Sequence, residues 1–154
     1  MEGVLSIKQS EFYKEFESVD LKNTFVLNTK EAEDIWRTYI DENLKPFHSL
    51  DKTHWILSNS SKSIGTWLES YNNDNYQKVV KMLDLELDWN EDNILFFFMS
   101  PRFVIKTTYQ DFKNAWINFL MCEDDSPVLV NKNINKNVLV FTPNGVIKEI
   151  ASDS

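Results

Sequence analysis

The side chains that could do chemistry in this 154-residue chain are few: His48 and His54, the single cysteine Cys122, and two clusters of carboxylates. The two histidines lie in a turn-rich segment, with no H-E-x-x-H motif, nucleophile elbow or C-x-x-C pair to complete a metal or acyl-transfer site. They are expected to be loop or packing histidines. Cys122 with one histidine would make a nucleophile and its base, but nothing in the spacing brings them together, so the thiol is expected near the core as a small hydrophobe. The first carboxylate cluster is Asp84, Glu86, Asp88, Glu91 and Asp92, and the second is Glu123, Asp124 and Asp125. The first has oxygen ligands at alternate positions, as a calcium loop does. Trp89, however, stands where that loop turns on glycine, and Leu95 where its bidentate glutamate belongs. Two readings of these carboxylates stay open. Asp84, Glu86 and Asp88 alternate with Leu83, Leu85 and Leu87, which describes an extended segment with one solvated and one apolar face. Alternatively, the two clusters form a negative surface that docks a cationic protein.

Composition narrows the classes. A net charge of −8 opposes nucleic acid as a partner, because phosphate binding draws on Lys and Arg, and only Arg37 and Arg102 are arginines. Gly3, Gly65 and Gly145 are the only glycines, and none sits in a phosphate-cradling loop. No apolar run reaches the ~20 residues of a membrane helix, and the N-terminus lacks the basic-then-apolar pattern of a signal peptide, so a cytoplasmic protein is expected. One cysteine excludes an internal disulfide framework and a thiolate metal cluster. The expectation is a non-enzyme with no catalytic residues, no cofactor and no metal.

The elements that must position these groups centre on Asp88 to Leu120. Ile94 to Met99 is a continuous apolar run, bounded by Asp92-Asn93 and Ser100-Pro101, of the kind found in a strand covered on both faces. It predicts the centre of a sheet. Phe103 to Ile105 can pair with it as a hairpin, and Thr108 then offers an N-cap with Asp111 in the first turn. Phe112, Ala115, Trp116, Phe119 and Leu120 form one helical face, with Gln110, Lys113, Asn114 and Asn118 on the other. Upstream, Val4, Leu5 and Ile7 suggest a short strand, Phe12, Tyr13 and Phe16 a short helix, and Phe25 to Leu27 another strand. Asn28 with Glu31 resembles a capping box opening a helix from about Thr29 to Leu44. Phe47 to Ser63 gives no clear assignment. A serine at 60 or 61 is expected to cap a helix carrying Ile64, Trp67, Leu68 and Tyr71, followed by a helix carrying Tyr76, Val79, Val80 and Leu83. Val128 to Val130, Val138 to Phe141 and Val146 to Ile150 read as strands, the last two joined across Asn144-Gly145. The whole, residues 1–154, predicts one α+β domain, with helices mainly in the first half packed on a largely antiparallel sheet from the second.

The stretch from Asp92 through Val130, with the VLVFTPNGVI hairpin, resembles a family of small uncharacterised bacterial proteins. That family carries a T-T-W-x-x-F-x-x-x-W-x-x-F-L helix, a D-D-G-P-L-L turn and strand, and an N-G hairpin. Matching positions are Thr107, Thr108, Phe112, Trp116, Phe119, Leu120, Asp124, Asp125, Pro127, Asn144 and Gly145, with Tyr109 and Ser126 as departures. The resemblance implies a fold and transfers no catalytic residue. Small, acidic, tryptophan-rich α+β proteins are also similar in kind to the immunity proteins of contact-dependent growth inhibition and related toxin systems. That likeness implies a protein that binds the C-terminal domain of one cognate toxin, commonly a cationic nuclease, and blocks its active site or access to substrate. The carboxylates of both clusters would then contact the toxin. The alternative function is a housekeeping interaction or regulatory domain. An enzyme using Asp124 and Asp125 in a cleft stands third.

Overall fold

The computed structural model describes residues 4–6, 10, 13–58, 61–122, 127–133 and 137–151. Among them, eight strands form one antiparallel sheet: β1 (Val4–Ser6), β2 (Phe25–Leu27), β3 (Ser61–Thr66), β4 (Ile94–Ser100), β5 (Phe103–Thr108), β6 (Val128–Asn131), β7 (Asn137–Phe141) and β8 (Val146–Ala151). Their order across the sheet is β1-β2-β5-β4-β6-β7-β8-β3. The apolar run of β4 does sit at the centre, with Phe97 opposite Ile105 on one side and Leu129 on the other. Alternation along the strands splits the core into two layers. Leu95, Phe97, Ile105, Leu129, Leu139 and Phe141 point one way, whereas Phe96, Phe98, Val104, Val128, Val130 and Val138 point the other. A strand buried on both faces needs no polar positions, which is why β4 is apolar from Ile94 to Met99.

The first face is covered by α1 (Tyr13–Phe16), α5 (Tyr76–Glu86) and α6 (Tyr109–Met121), with α4 (Leu68–Asn72) beside them. Helix α6 starts where the sequence places it, since the Thr108 hydroxyl accepts the Asp111 N–H at 3.2 Å. Phe112, Trp116, Phe119 and Leu120 are buried as expected. The helix is interrupted at Ala115, whose φ of −144° and ψ of 25° leave the helical region. The second face is covered by α2 (Thr29–Tyr39) and α3 (Trp55–Ser58), with a 3₁₀ turn at Phe47–Ser49 between them. Asn28 caps α2 through its side-chain oxygen and the Glu31 N–H at 2.8 Å.

Four expectations change. Helix α2 stops at Tyr39 rather than Leu44, because the Asp41 carboxylate takes the N–H groups of Asn43 and Lys45 and Leu44 adopts a φ of +59°. Ser61 does not cap a helix. Ser61–Thr66 is the edge strand β3, pairing with β8 with an irregularity between Ser63 and Gly65, and the following helix begins only at Leu68. A Cβ on Gly65 would lie 1.6 Å from the Met82 sulfur, so the bare glycine lets α5 pack against β3. Residues 83–86 belong to α5 rather than to an extended segment: Val79, Leu83 and Leu87 are buried at one-face spacing, while Leu85 is 84% exposed. The α+β class and the antiparallel sheet hold, but β1, β2 and β3 come from the first half of the chain, so helices and strands are interspersed. Ile7, Phe12 and Ser60 lie outside the described residues.

Candidate functional site

The first carboxylate cluster becomes a ridge built from the end of α5 and the turn into β4. The Leu87 N–H closes the helix on Leu83 O at 2.9 Å, and Leu87 and Trp89 are buried as pegs on either side of exposed Asp88. Trp89 donates its indole N–H to Asn137 Oδ1 at 2.9 Å and packs edge-on against Tyr109. Beyond it, Asn93 Oδ1 accepts from Asn90 N and from Asn131 Nδ2, each at 3.0 Å. The Asn93 and Glu91 carbonyls accept the N–H groups of Tyr109 and Gln110, both at 3.0 Å. The turn is thus tied to β6 and to the first residues of α6. Asp84, Glu86, Asp88, Glu91 and Asp92 are all exposed on this frame.

Their electrostatics divide them. Lys113, whose side chain is only 8% exposed, places Nζ 2.8 Å from Asp84 Oδ1, 3.6 Å from Glu91 Oε1 and 4.5 Å from the centre of the Tyr109 ring. The Tyr109 hydroxyl also donates to Asp84 Oδ1 at 3.0 Å. Burial, reinforced by the charge of Asp84, raises the Tyr109 hydroxyl well above the ordinary tyrosine range, so it stays a protonated donor. Glu86 meets Lys62 at 3.8 Å with Lys62 largely exposed, a contact worth little. Asp88 and Asp92 make no hydrogen bond or ion pair with any described residue. Asp84 and Glu86 also stand in the last turn of α5, which carries no basic residue, where the helix dipole disfavours anions. The ridge is therefore a rigid, incompletely neutralised anionic surface. A surface of this charge attracts cations.

The other candidates fall elsewhere. Glu123, Asp124 and Asp125 lie outside the described residues. His54 is partly buried, and its ring nitrogens meet the backbone: Nε2 contacts Ile40 O, and Nδ1 accepts the Ile56 N–H at 3.1 Å. His48 is exposed on the 3₁₀ turn. The Cys122 thiol faces Asn118 O at 3.5 Å, packed beside the core of the first face. Nucleophile and base are thus held by separate local backbone. Among the described residues, no three or more His, Cys, Asp or Glu side chains are grouped to hold a metal. No helix there is long and apolar enough to cross a membrane.

Two charged residues of α6, Lys113 from the face expected to be polar and Asp111 from the first turn, are buried. Lys113 closes the ridge from beneath. Asp111 Oδ2 accepts from Asn23 N and Thr24 Oγ1, each at 2.9 Å, joining α6 to the chain before β2, and Thr24 also meets Thr107 at 2.8 Å. Their sequence signal is weak: Lys113 follows Tyr109 at i, i+4, where an ammonium can reach the ring.

Comparison with curated proteins and with solved structures returns no match. Residues 13–149 match the family model described as "Protein of unknown function (DUF2947)", a span from α1 into β8 that includes the whole ridge. The chain belongs to this family of proteins of unknown function.

Proposed function

We propose that the protein is a non-catalytic binding protein whose partner is a cationic protein domain docked on the ridge Asp84–Asp92, and that this binding neutralises a toxin in the manner of an immunity protein. The observation that carries the reading is the state of the carboxylates. Two have no partner among the described residues, two sit against the dipole of α5, and the frame beneath them, the end of α5 and the turn after it, is fixed by Leu87, Trp89 and Asn93. Surface charge held this firmly loses little freedom on binding, and it steers a basic partner toward one face. A basic enzyme held there by its substrate-binding lysines and arginines would be blocked by occupation alone. No group on this chain has to react.

Co-purification of the tagged protein from its native cells, with mass spectrometry of what is retained, tests this. Retention of a basic domain near one-to-one stoichiometry, with protection of cells that express that domain, is the expected result. Recovery of the protein alone would contradict the reading. Retention of a basic protein without protection would favour the alternative, a regulatory interaction domain that uses the same ridge.

A further inference from the structure

The second face of the sheet is wider than the elements that cover it. Helix α2 packs toward β2 and β5, and at the other end the short helix α3 and the 3₁₀ turn leave a recess of about 280 Å³ over β6, β7 and β8. Its floor is Val128, Val140 and Ile150, three strand residues aligned by the register that sets Val128 opposite Val140. Ile56 and Leu57 form a lip, and Leu57 is 55% exposed. Among the described residues that line the recess, Lys148 of β8 is the only charged one. Its cross-strand neighbours on this face are Val140 and Ser63, and it forms no ion pair with any described residue. An apolar recess gains little from filling with water, since water there finds few hydrogen-bond partners. A lone ammonium at its margin, in a chain of net charge −8, selects an anion.

We infer that this recess binds a small apolar carboxylate, with the hydrocarbon body on Val128, Val140 and Ile150 and the carboxylate at Lys148. At roughly 30 Å³ per water-sized group, the space holds about nine or ten non-hydrogen atoms, the size of an eight-carbon monocarboxylate. The site shares no residue with the acidic ridge, so the two proposals stand or fall separately.

The test uses octanoate, octylammonium and octanol as probes, titrated into the ¹⁵N-labelled chain while amide shifts are followed. Octanoate is expected to move Leu57, Val140 and Ile150 saturably and to bind more tightly than octylammonium. Replacing Lys148 by Met (K148M) should weaken octanoate by about fivefold and leave octanol unchanged, as loss of one half-exposed ion pair predicts. Absence of shifts at these residues at millimolar octanoate would overturn the inference. So would equal binding of octylammonium, or indifference of octanoate to K148M. A filled-cavity variant, Val140→Phe, should abolish binding of octanoate and octanol alike, and retained binding would place the ligand elsewhere.

Discussion

Lys113 holds the ridge together from below, and its replacement separates two opposing electrostatic effects. Its ammonium is 2.8 Å from Asp84 and 3.6 Å from Glu91, with a side chain 8% exposed, whereas the Asp84 side chain is 49% exposed. At an effective dielectric of about 20, the nearer contact has a gross attraction of about 6 kcal/mol, reduced because solvent reaches the carboxylate. Desolvating the ammonium opposes it by several kcal/mol. The two nearly cancel, so the pair as a whole contributes little while either half alone is costly. Asp84→Asn strands a buried cation on the more distant Glu91 and should destabilise the chain by about 2–3 kcal/mol. Lys113→Met removes the cation and keeps an apolar stem of similar length in its buried place, so it should stay within about 1 kcal/mol of the parent. The double variant should recover most of the loss from Asp84→Asn. Urea unfolding, followed by tryptophan fluorescence, gives all three values. A loss above about 3 kcal/mol for Lys113→Met, or equal losses for the two single variants, would refute the reasoning. Lys113→Met also leaves the ridge more negative, so affinity for a basic partner should rise at low salt.

Three further outcomes follow from the fold. Leu83→Ala should cost about 2–5 kcal/mol and Leu85→Ala within about 0.5 kcal/mol by the same unfolding assay, because Leu83 is fully buried and Leu85 is 84% exposed; an extended segment would make the two equivalent. Gly145→Ala should cost about 2–4 kcal/mol, since Gly145 has a φ of +91° and a Cβ there would lie 2.8 Å from Leu68 Cβ; a thermal midpoint unchanged by the substitution would count against that turn. The raised Tyr109 hydroxyl means that the folded chain holds its proton more tightly than the unfolded chain does. Its stabilisation is complete below the ordinary tyrosine range of about pH 10 and is lost as pH rises above it. Tyr109→Phe should therefore flatten the alkaline loss of stability, and parallel pH profiles for the two proteins would contradict the assignment.

The parts of the fold legible in the sequence are those where one signal acts alone. The β4 run, the Thr108 cap and the Asn144-Gly145 turn appear where their residues place them, and the apolar faces of α2 and α6 follow their periodicity. The misreadings come from competing signals. Between Leu83 and Asp88, period-two alternation coincides with the helical pair Leu83 and Leu87, and packing against the sheet decides for the helix. Edge strand β3 buries only Ile64, so its serines and glycine carry no strand pattern, and it forms because β8 offers an open edge. The frame of the ridge was not legible at all. Asn93, Asn131 and Asn137 carry no pattern of their own in the sequence, yet they fix Trp89 and the turn through contacts up to 48 residues apart. The same holds for Lys113, whose burial depends on Asp84 arriving from a different helix.

We propose docking of a cationic protein on the ridge Asp84–Asp92. Its most direct test is capture from native cells with the parent protein and the triple charge reversal Glu86→Lys, Asp88→Lys, Asp92→Lys, side by side at low and high salt. These three carboxylates lie outside the Lys113 contacts, so the reversal leaves the fold's own ion pairs to Asp84 and Glu91 in place. A basic protein is expected to be held by the parent at low salt, released as salt rises, and missing from the reversal. The same basic partner retained by both proteins, with the same dependence on salt, would show that the ridge is solvated surface and contradict the account.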